Sequence, residues 1–333
     1  MPDYGARYTD KQIADIEQRI TDLYDAAYQD VRKKYLNFVS RFNAADKKYR
    51  EKLKNGEITK EQYDSWMRGQ VFQGERWRAQ LSSIAQTLTD ATITATDIIN
   101  ESTPNVFAMN ANYATYEIEK AGNINTGFNL YDQDTVARLV RDDPTLLPPS
   151  KVDIPVEQQW NMTSINRQIG VGIVTGEGIE AIAKRLQRAA NMSANQARTH
   201  ARTAMTGAQN AGRIESYKRA QGMGIKLEKE WLATLDGHTR RSHAVLDGQH
   251  VPVDQPFKSL LGDIRYPGDP TARPANVYNC RCTLISHLLE YPSQNAMRRP
   301  NMQKLGDKEV QKPIKDMTYL EWARWKKLAR IKR

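Results

Sequence analysis

Apolar residues recur along the first hundred residues at the three- and four-residue spacing of a helix. One stripe consists of Ile13, Ile16, Ile20, Leu23, Ala27 and Val31. Residues at this spacing share one helical face, so the stripe predicts a long amphipathic helix that ends before Lys54-Asn55-Gly56. Thr9 and Gln12 have the spacing of a capping box, which predicts the helix start.

A second apolar stripe follows and runs towards Asn100. Its members are Trp66, Val71, Phe72, Trp77, Leu81, Ile84 and Leu88. Thr59 and Gln62 provide a capping box before it. Since each stripe must bury its apolar side, the two predict a long N-terminal helical hairpin or bundle arm over residues 1–100.

The helical periodicity breaks over residues 101–156, which we assign to a mixed connector. Gly122 and Gly127 interrupt the pattern, and Pro148-Pro149 marks a seam between domains. Helical patterns return in residues 157–230, where helices are predicted over 179–190 and 194–221. The second of these helices is basic, and its small residues favour close packing against another element. These small residues are Ala201, Ala204, Ala208 and Ala211.

The C-terminal segment, residues 291–333, is polar and basic. Near its end, Trp322, Trp325 and Leu328 lie three residues apart and form an aromatic face surrounded by cations. Such a helix suits either phosphate contact or a membrane surface, and its short apolar face favours the former. No run of about 18 apolar residues exists, so no membrane-spanning helix is predicted.

The net charge of +10 over 333 residues is unevenly placed. Residues 291–333 carry 12 basic and 4 acidic side chains, residues 181–230 carry 10 and 3, and residues 1–180 have a net charge of −5. Two basic regions predict sequence-independent contact with the phosphates of double-stranded DNA. The candidate contacts are Arg198, Arg202, Arg213, Lys218, Arg219, Arg324, Lys326, Lys327 and Arg330.

Both cysteines of the chain, Cys280 and Cys282, lie near His243 within residues 231–290. A disulfide across one residue strains the backbone, whereas thiolates and an imidazole are ligands that zinc prefers, with Asp236, His238 or His250 as a fourth. The usual spacing of structural zinc cysteines is two to four residues, so two reduced thiols beside a hydrogen-bonded histidine are the alternative. A metal here is expected to be structural, because so short a domain has little core.

Asp236, Thr239, Arg240 and His243 also permit a catalytic interpretation, in which the aspartate orients the histidine and the arginine stabilises an anion. His243 with Asn279 is similar to the pairing found in small metal-dependent nucleases. The structural alternative is an ion pair between Asp236 and Arg240. Since no nucleophile with a clear base accompanies these residues, the structural interpretation is favoured.

The order of residues in this block resembles that of the Mu F-like minor head proteins, or head-morphogenesis proteins, of tailed bacteriophages. The residues that carry the resemblance are Trp231, Asp236, Thr239, Arg240, Ser242, His243, Gly248, Phe257, Tyr266, Pro267, Gly268, Asp269, Ala275, Asn279, Cys280, Arg281 and Cys282. Weaker likeness at 176–179, Arg202-Thr203 and 210–213 extends it over residues 157–288. Many relatives have an acidic residue after Arg-Thr, whereas Ala204 stands here, so no role for that acid is expected.

The resemblance implies a protein present in few copies inside the procapsid and associated with the portal vertex. It implies action in head morphogenesis and in the packaging or ejection of DNA. The implied partners are the portal protein, the major capsid or scaffolding protein, and double-stranded DNA. The implied location is the capsid interior of the virion near the portal, with the host cytoplasm during assembly.

We therefore expect a mainly α protein with a small α+β C-terminal domain. Its parts are the helical arm, the mixed connector, a basic helical domain (157–230), a Mu F-like motif domain (231–290) and a basic tail (291–333). We expect a structural protein and no catalytic residues, with a structural zinc ion as the one cofactor considered. The alternative is a zinc-dependent nuclease, or another metal-dependent enzyme acting on phage or host DNA.

Overall fold

The computed structural model describes residues 3–68, 75–175, 177–290, 304–305, 308–309 and 313–331. These residues are mainly helical, with short antiparallel strands towards the C-terminus, which confirms the predicted fold class. The helices are α1 (Tyr4–Lys54), α2 (Lys60–Arg68), α3 (Glu75–Gly122), α4 (Gln133–Asp142), α5 (Ile154–Val174), α6 (Ile179–Gly222), α7 (Arg241–Ala244), α8 (Pro274–Val277) and α9 (Tyr319–Ile331), with a 3-10 turn at Ile314–Asp316. The strands are β1 (Lys226–Leu232), β2 (His250–Pro252), β3 (Phe257–Ser259), β4 (Gly262–Ile264), β5 (Thr283–Glu290), β6 (Lys304–Leu305) and β7 (Lys308–Glu309). Over these residues, no helix combines the length and apolarity needed to cross a bilayer.

The chain divides into two compact units, each assembled from segments that are distant in sequence. The arm unit comprises residues 17–98 and 151–198, and the motif unit comprises residues 1–16, 99–150 and 199–333. The helices α1, α3 and α6 each contribute to both units. This grouping rests on spatial contact, whereas the five sequence-ordered domains remain a prediction.

The arm unit is packed through the two predicted apolar stripes. Within the arm unit, the buried members of these stripes are Ile20, Ala27, Val31, Trp77, Leu81, Ile84 and Leu88. Ile16 is buried as well and belongs to the motif unit. The pattern predicted that Leu23 of α1 is buried. Leu23 is half-buried, and the neighbouring Tyr24 is buried instead. Val71 and Phe72 lie outside the described residues. The helical pairing expected of the N-terminal hundred residues is therefore present.

The two capping predictions have different outcomes. The Thr59–Gln62 box is confirmed, because the backbone N–H of each residue donates to the side chain of the other, at 2.8 and 3.2 Å. The Thr9 box is wrong, since α1 already begins at Tyr4 and the Thr9 hydroxyl donates to the Gly5 carbonyl inside the helix. The helix α1 ends at Lys54, one residue later than predicted, since its end was expected before Lys54-Asn55-Gly56.

Two helices are longer than the sequence pattern indicates. The helix α3 passes Asn100 and contains Pro104, and α6 joins the two predicted helices into one. Small residues also permit close approach of α6 to α3: a Cβ atom on Gly212 would lie 2.4 Å from the carbonyl oxygen of Phe107. The predicted close packing of α6 is confirmed, since Ala201, Ala208 and Ala211 are buried and Ala204 is half-buried.

A three-stranded antiparallel sheet has the strand order β2-β1-β5. The sheet follows α6 in the sequence and contacts it through the hydrogen bond between Gln209 and Thr283. Trp231 on β1 is opposite Leu284 on β5, and Glu230 is opposite His250 on β2. Residues of β1 alternate between buried and accessible, with Leu227, Lys229 and Trp231 on the buried face. The sheet therefore turns Trp231 towards the segment that holds His243.

The helix α9 buries its aromatic face within the motif unit. Trp322 and Trp325 pack in a cluster with Tyr113, Tyr116 and Tyr319. The side chain of Leu328 lies outside the described residues. The membrane-surface interpretation of this helix is corrected, because the tryptophans it required at an interface are already covered by protein.

Candidate metal centre

His243, Cys280 and Cys282 form a buried cluster next to the sheet. His243 comes from α7, and the two cysteines come from the turn that leads into β5. The His243 Nδ1 atom lies 3.5 Å from each sulfur, and all three ligand atoms lie within 4.8 Å of one another. The structure thus brings together the three residues that the sequence marked as metal ligands. It leaves His250 elsewhere, on β2.

Hydrogen bonding fixes the tautomer of His243. Its Nε2 atom lies 2.9 Å from the carbonyl oxygen of Asn276. Because a carbonyl only accepts, Nε2 carries the proton and Nδ1 presents a lone pair towards the sulfurs. The Trp231 ring packs edge-on against the imidazole, with ring centroids 5.2 Å apart. Asn276 is itself buried and donates to the Ser259 hydroxyl at 2.9 Å.

The thiols of Cys280 and Cys282 are buried next to each other, and the pKa of one is raised while that of the other is lowered. A hydrogen bond with Cys280 and, after it, the contact with the His243 imidazole lower the pKa of the Cys282 thiol, against the opposing effect of burial. The bond to Cys282 and burial raise the pKa of Cys280. The pair therefore loses its first proton more readily than its second.

Side chains hold the backbone of residues 280–282 at all three carbonyl oxygens. Thr206 donates to the first carbonyl at 2.9 Å, Thr234 to the second at 2.8 Å and Asn210 to the third at 3.3 Å. Asn279, just before them, has a φ of 56°, a left-handed conformation that asparagine tolerates better than most residues. This framework turns both sulfurs inward in spite of their Cys-x-Cys spacing.

Asp236 and Arg240 do not form the ion pair that the sequence suggested. Asp236 instead pairs with Arg281, whose Nη2 atom donates at 2.7 Å. The Arg240 guanidinium donates to the carbonyl of Tyr278. The Arg281 guanidinium holds the pKa of Asp236 well below its usual range. The i,i+4 pairing fails because residues 236–240 form turns and not a helix.

The remaining residues of the motif shape turns around the cluster. The Thr239 hydroxyl donates to the Thr234 carbonyl, and Gly248, at a φ of 71°, donates its N–H to the Trp231 carbonyl at 2.8 Å. Ser242 is buried beside His243. These contacts hold the turns that surround the cluster.

A second turn, over residues 266–269, contacts α6 directly. Gly268 has a φ of 81°, and a Cβ atom on it would lie 2.5 Å from the Gly207 nitrogen. Asp269 is buried: burial raises its pKa, but hydrogen bonds from Arg265 and Thr271 outweigh this and lower it overall. Tyr266 is buried as well. The sequence pattern predicted a turn at this segment. The close contact between Gly268 and Gly207 is the physical reason why a glycine is needed there.

The polar face of α6 was missed as a structural element. Gln209 donates to Thr283 at 2.8 Å, Asn210 accepts from the Leu284 N–H at 2.9 Å, and Arg213 donates to the Leu284 carbonyl at 2.7 Å. The signal was available, since these residues lie three and four apart on a helix. That spacing indicates a shared face, but not what the face contacts.

The predicted DNA contacts fall into separate groups in the structure. Arg213 is fully buried and pairs with Asp3, and Lys326 is buried and pairs with Glu119, so both assignments are corrected. The cause is the same in each case, namely a carboxylate inside the motif unit. The exposed candidates are Lys218, Arg324 and Lys327.

Three further candidates are half-buried, and each has a contact of its own. Arg198 donates to Thr21 at 2.7 Å, and Arg202 lies 3.5 Å from the Asn279 amide oxygen. Arg219 lies over the rings of Phe128 and Tyr131, at 4.6 and 4.9 Å. The side chain of Arg330 is outside the described residues.

A second group of ligand-type side chains lies on the accessible face of the sheet. Glu230 and His250 are cross-strand neighbours 3.6 Å apart, and the ring of His287 is 4.4 Å from that of His250. Both histidines are exposed. No sequence pattern indicates this group, because its members come from three strands.

Comparison with known proteins identifies the relatives of this chain. Residues 163–285 match the family described as Phage Mu protein F like protein. The Minor head protein GP7 of Bacillus phage SPP1 is 28% identical over 322 residues, which cover 96% of each chain. The NAD(+)--arginine ADP-ribosyltransferase EFV of Enterococcus faecalis is 31% identical over 170 residues, 51% of this chain but 34% of that protein. No solved structure matches the chain significantly. The family match over residues 163–285 and the end-to-end similarity to a phage head protein support the assignment of the chain as a Mu F-like minor head protein of bacteriophages.

Proposed function

We propose that this minor head protein acts inside the procapsid at the portal vertex, in head morphogenesis and in the packaging or ejection of DNA. The observation that carries the proposal is the similarity to an SPP1 minor head protein over 96% of both chains. Because the match includes the arm and the tail as well as the motif, it favours a shared role for the whole chain. The portal, capsid and scaffolding partners follow from the family resemblance.

Quantitative mass spectrometry of nuclease-treated procapsids and mature particles tests the location. We expect a few copies per particle in both, with cross-links to the portal protein. A protein found in procapsids alone would act only in assembly, which would overturn the part of the proposal that concerns ejection. Absence from both particles would overturn the proposal as a whole.

Non-specific DNA contact is the second part of the proposal, and exposed cations support it. Arg324 and Lys327 lie on the accessible side of α9, whose opposite side is buried. Lys218 is exposed near the end of α6. Cations in such positions can approach a phosphate backbone without unfolding the protein, and each phosphate contact releases condensed counterions.

The salt dependence of binding to a random-sequence duplex tests this contact. We expect log Kd to rise linearly with log salt, and the slope to fall by about 0.9 for each lost phosphate contact. The variant Arg324→Glu/Lys327→Glu should bind at least tenfold more weakly. Lys258→Glu is the matched control, because Lys258 is exposed but lies outside the basic regions. Equal losses in both variants, or a flat salt response, would refute the contact.

A zinc-dependent nuclease, or another metal-dependent enzyme, is the second candidate function. A substrate would have to bind in the pocket beside the cluster, which is lined by Thr234, His238 and Arg240 among others. The pocket measures about 70 Å³, well below the range of roughly 300–1,000 Å³ typical of sites for small-molecule ligands. Burial of His243 likewise favours a structural role. Metal-dependent cleavage of plasmid DNA that disappears in His243→Ala would reverse this order.

Similarity to the ADP-ribosyltransferase does not carry that activity to this chain. The alignment spans 34% of the enzyme. Two proteins that share a domain of this size differ in function when the catalytic residues lie elsewhere. The shared region is therefore interpreted as the structural module.

A further inference from the structure

The arrangement of His243, Cys280 and Cys282 fits a tetrahedral metal site. In a zinc site with Zn–S bonds of about 2.3 Å and Zn–N bonds of about 2.0 Å, sulfur and nitrogen are about 3.5 Å apart. Nδ1 lies at that distance, 3.5 Å, from both sulfurs. One lone pair on Nδ1 accepts a single S–H hydrogen bond well, so equal distances to two thiols are better explained by three groups that face a common point.

Groups around the ligands support this orientation. Metal-bound histidines usually donate their second ring N–H to a carbonyl or carboxylate. His243 does so, since Nε2 is bonded to the Asn276 carbonyl at 2.9 Å. The N–H of Cys282 points at the sulfur of Cys280, 3.4 Å away. This N–H stabilises a negatively charged sulfur and so fits a thiolate ligand.

Contacts within the protein hold the proposed ligands in position. The carbonyl groups of residues 280–282 are each bonded to a side chain of another segment, two of which come from α6. The ligands are thereby drawn from α7 and from the turn before β5, and a metal would join both to the sheet. A divalent cation also neutralises two buried thiolates, which otherwise carry a large desolvation cost.

We propose that His243 Nδ1 and the sulfurs of Cys280 and Cys282 bind a structural Zn²⁺ ion. The fourth coordination position faces the pocket that His238 also lines. The ligand set of two thiolates and one imidazole selects a borderline-soft cation over Mg²⁺ or Ca²⁺. The proposal concerns the fold of the motif unit and is independent of the proposed location in the phage head.

Zinc content of the full-length chain tests the proposal. The protein is isolated without a histidine tag or chelator, incubated with excess Zn²⁺ and desalted, and its zinc is measured by mass spectrometry. We expect about one zinc ion per chain. The double variant Cys280→Ser/Cys282→Ser should retain less than a tenth of the wild-type amount, and its melting temperature should fall.

The exposed histidines supply the matched control. His250→Ala/His287→Ala removes the accessible ligand group on the sheet and should leave the zinc content unchanged. Zinc that is lost in this variant and kept in the cysteine variant would overturn the assignment. Zinc that washes out of the wild-type chain during desalting would identify adventitious binding only, and would overturn it as well.

Cobalt substitution keeps the proposal testable if the cysteine variant does not fold. Removal of a structural metal ligand often unfolds a small metal domain. The unaltered chain loaded with Co²⁺ should show the strong visible absorption of a tetrahedral site and a thiolate-to-cobalt charge-transfer band. A chain that takes up Co²⁺ with the weak absorption of an octahedral site, and without the charge-transfer band, would refute thiolate ligation.

Discussion

The buried guanidinium of Arg213 connects three parts of the motif unit, so its removal tests how α6 is held. Its side chain is 0% exposed. One nitrogen donates to the Leu284 carbonyl at 2.7 Å, and another donates to both carboxylate oxygens of Asp3 at 2.6 and 2.8 Å. In Arg213→Ala, the carboxylate loses its partner and the carbonyl of β5 loses a charged donor.

The expected cost follows from these losses. Breaking a buried ion pair by removing one partner costs about 3–5 kcal/mol. The side chain of Asp3 is 25% exposed and can recover some hydration, which favours the lower part of that range. The lost donor to Leu284 adds to the cost, because an unsatisfied buried carbonyl costs about 1–3 kcal/mol. We expect Arg213→Ala to lower the free energy of unfolding by about 4 kcal/mol.

Urea unfolding of the full-length chain, followed by near-ultraviolet circular dichroism, measures the change. Lys218→Ala is the control, since Lys218 is on the same helix but exposed, and it should change stability by no more than about 0.5 kcal/mol. A value for Arg213→Ala within that limit would refute the reasoning. So would unchanged stability together with a tenfold loss of DNA affinity, because that pair of results is expected of a surface phosphate contact.

Three further substitutions test other parts of the motif unit. Lys326→Ala leaves the buried Glu119 carboxylate without its cation and should destabilise the chain by about 3 kcal/mol in urea; a change below about 0.5 kcal/mol would contradict the buried pair. Burial raises the pKa of Glu117 from 4.5 to about 7, so the folded chain binds this proton more tightly and stability falls as pH rises between those values. Glu117→Gln should therefore be up to about 3 kcal/mol more stable than wild type at pH 8 and no more stable at pH 4, and a pH-independent difference would refute the assignment. Gly268→Ala places a methyl group against the Gly207 backbone at a positive φ and should cost about 3 kcal/mol or more by thermal melting. Gly248→Ala, also at a positive φ but with open space around it, should cost about 1 kcal/mol, and equal losses would show that the glycine contact is unimportant.

Local periodicity predicted where the long helices lie, but not the full length of α3 and α6. Apolar positions such as Ile20 and Leu81 repeat at helical spacing and are buried as expected. The helix ends were less certain. The capping pattern at Thr59 forms a capping box at a helix start, whereas the same pattern at Thr9 lies inside a helix. Propensity and capping are local properties, and tertiary packing extends or overrides them where it stabilises more residues.

The sequence by itself determined which ligand types the candidate site contains. Metal-binding chemistry depends on the side chains, and the motif includes His243 and both cysteines. Tertiary structure alone decided their geometry: the turn after Asn279 and the contacts from α6 overcame an unfavourable spacing. Tertiary structure also decided which basic side chains are buried in ion pairs and which are exposed. A helical pattern shows which residues share a face but not what covers that face. Arg213 and Lys218 are therefore equivalent in the pattern, and only the contact with the Asp3 carboxylate, 210 residues away in sequence, distinguishes Arg213.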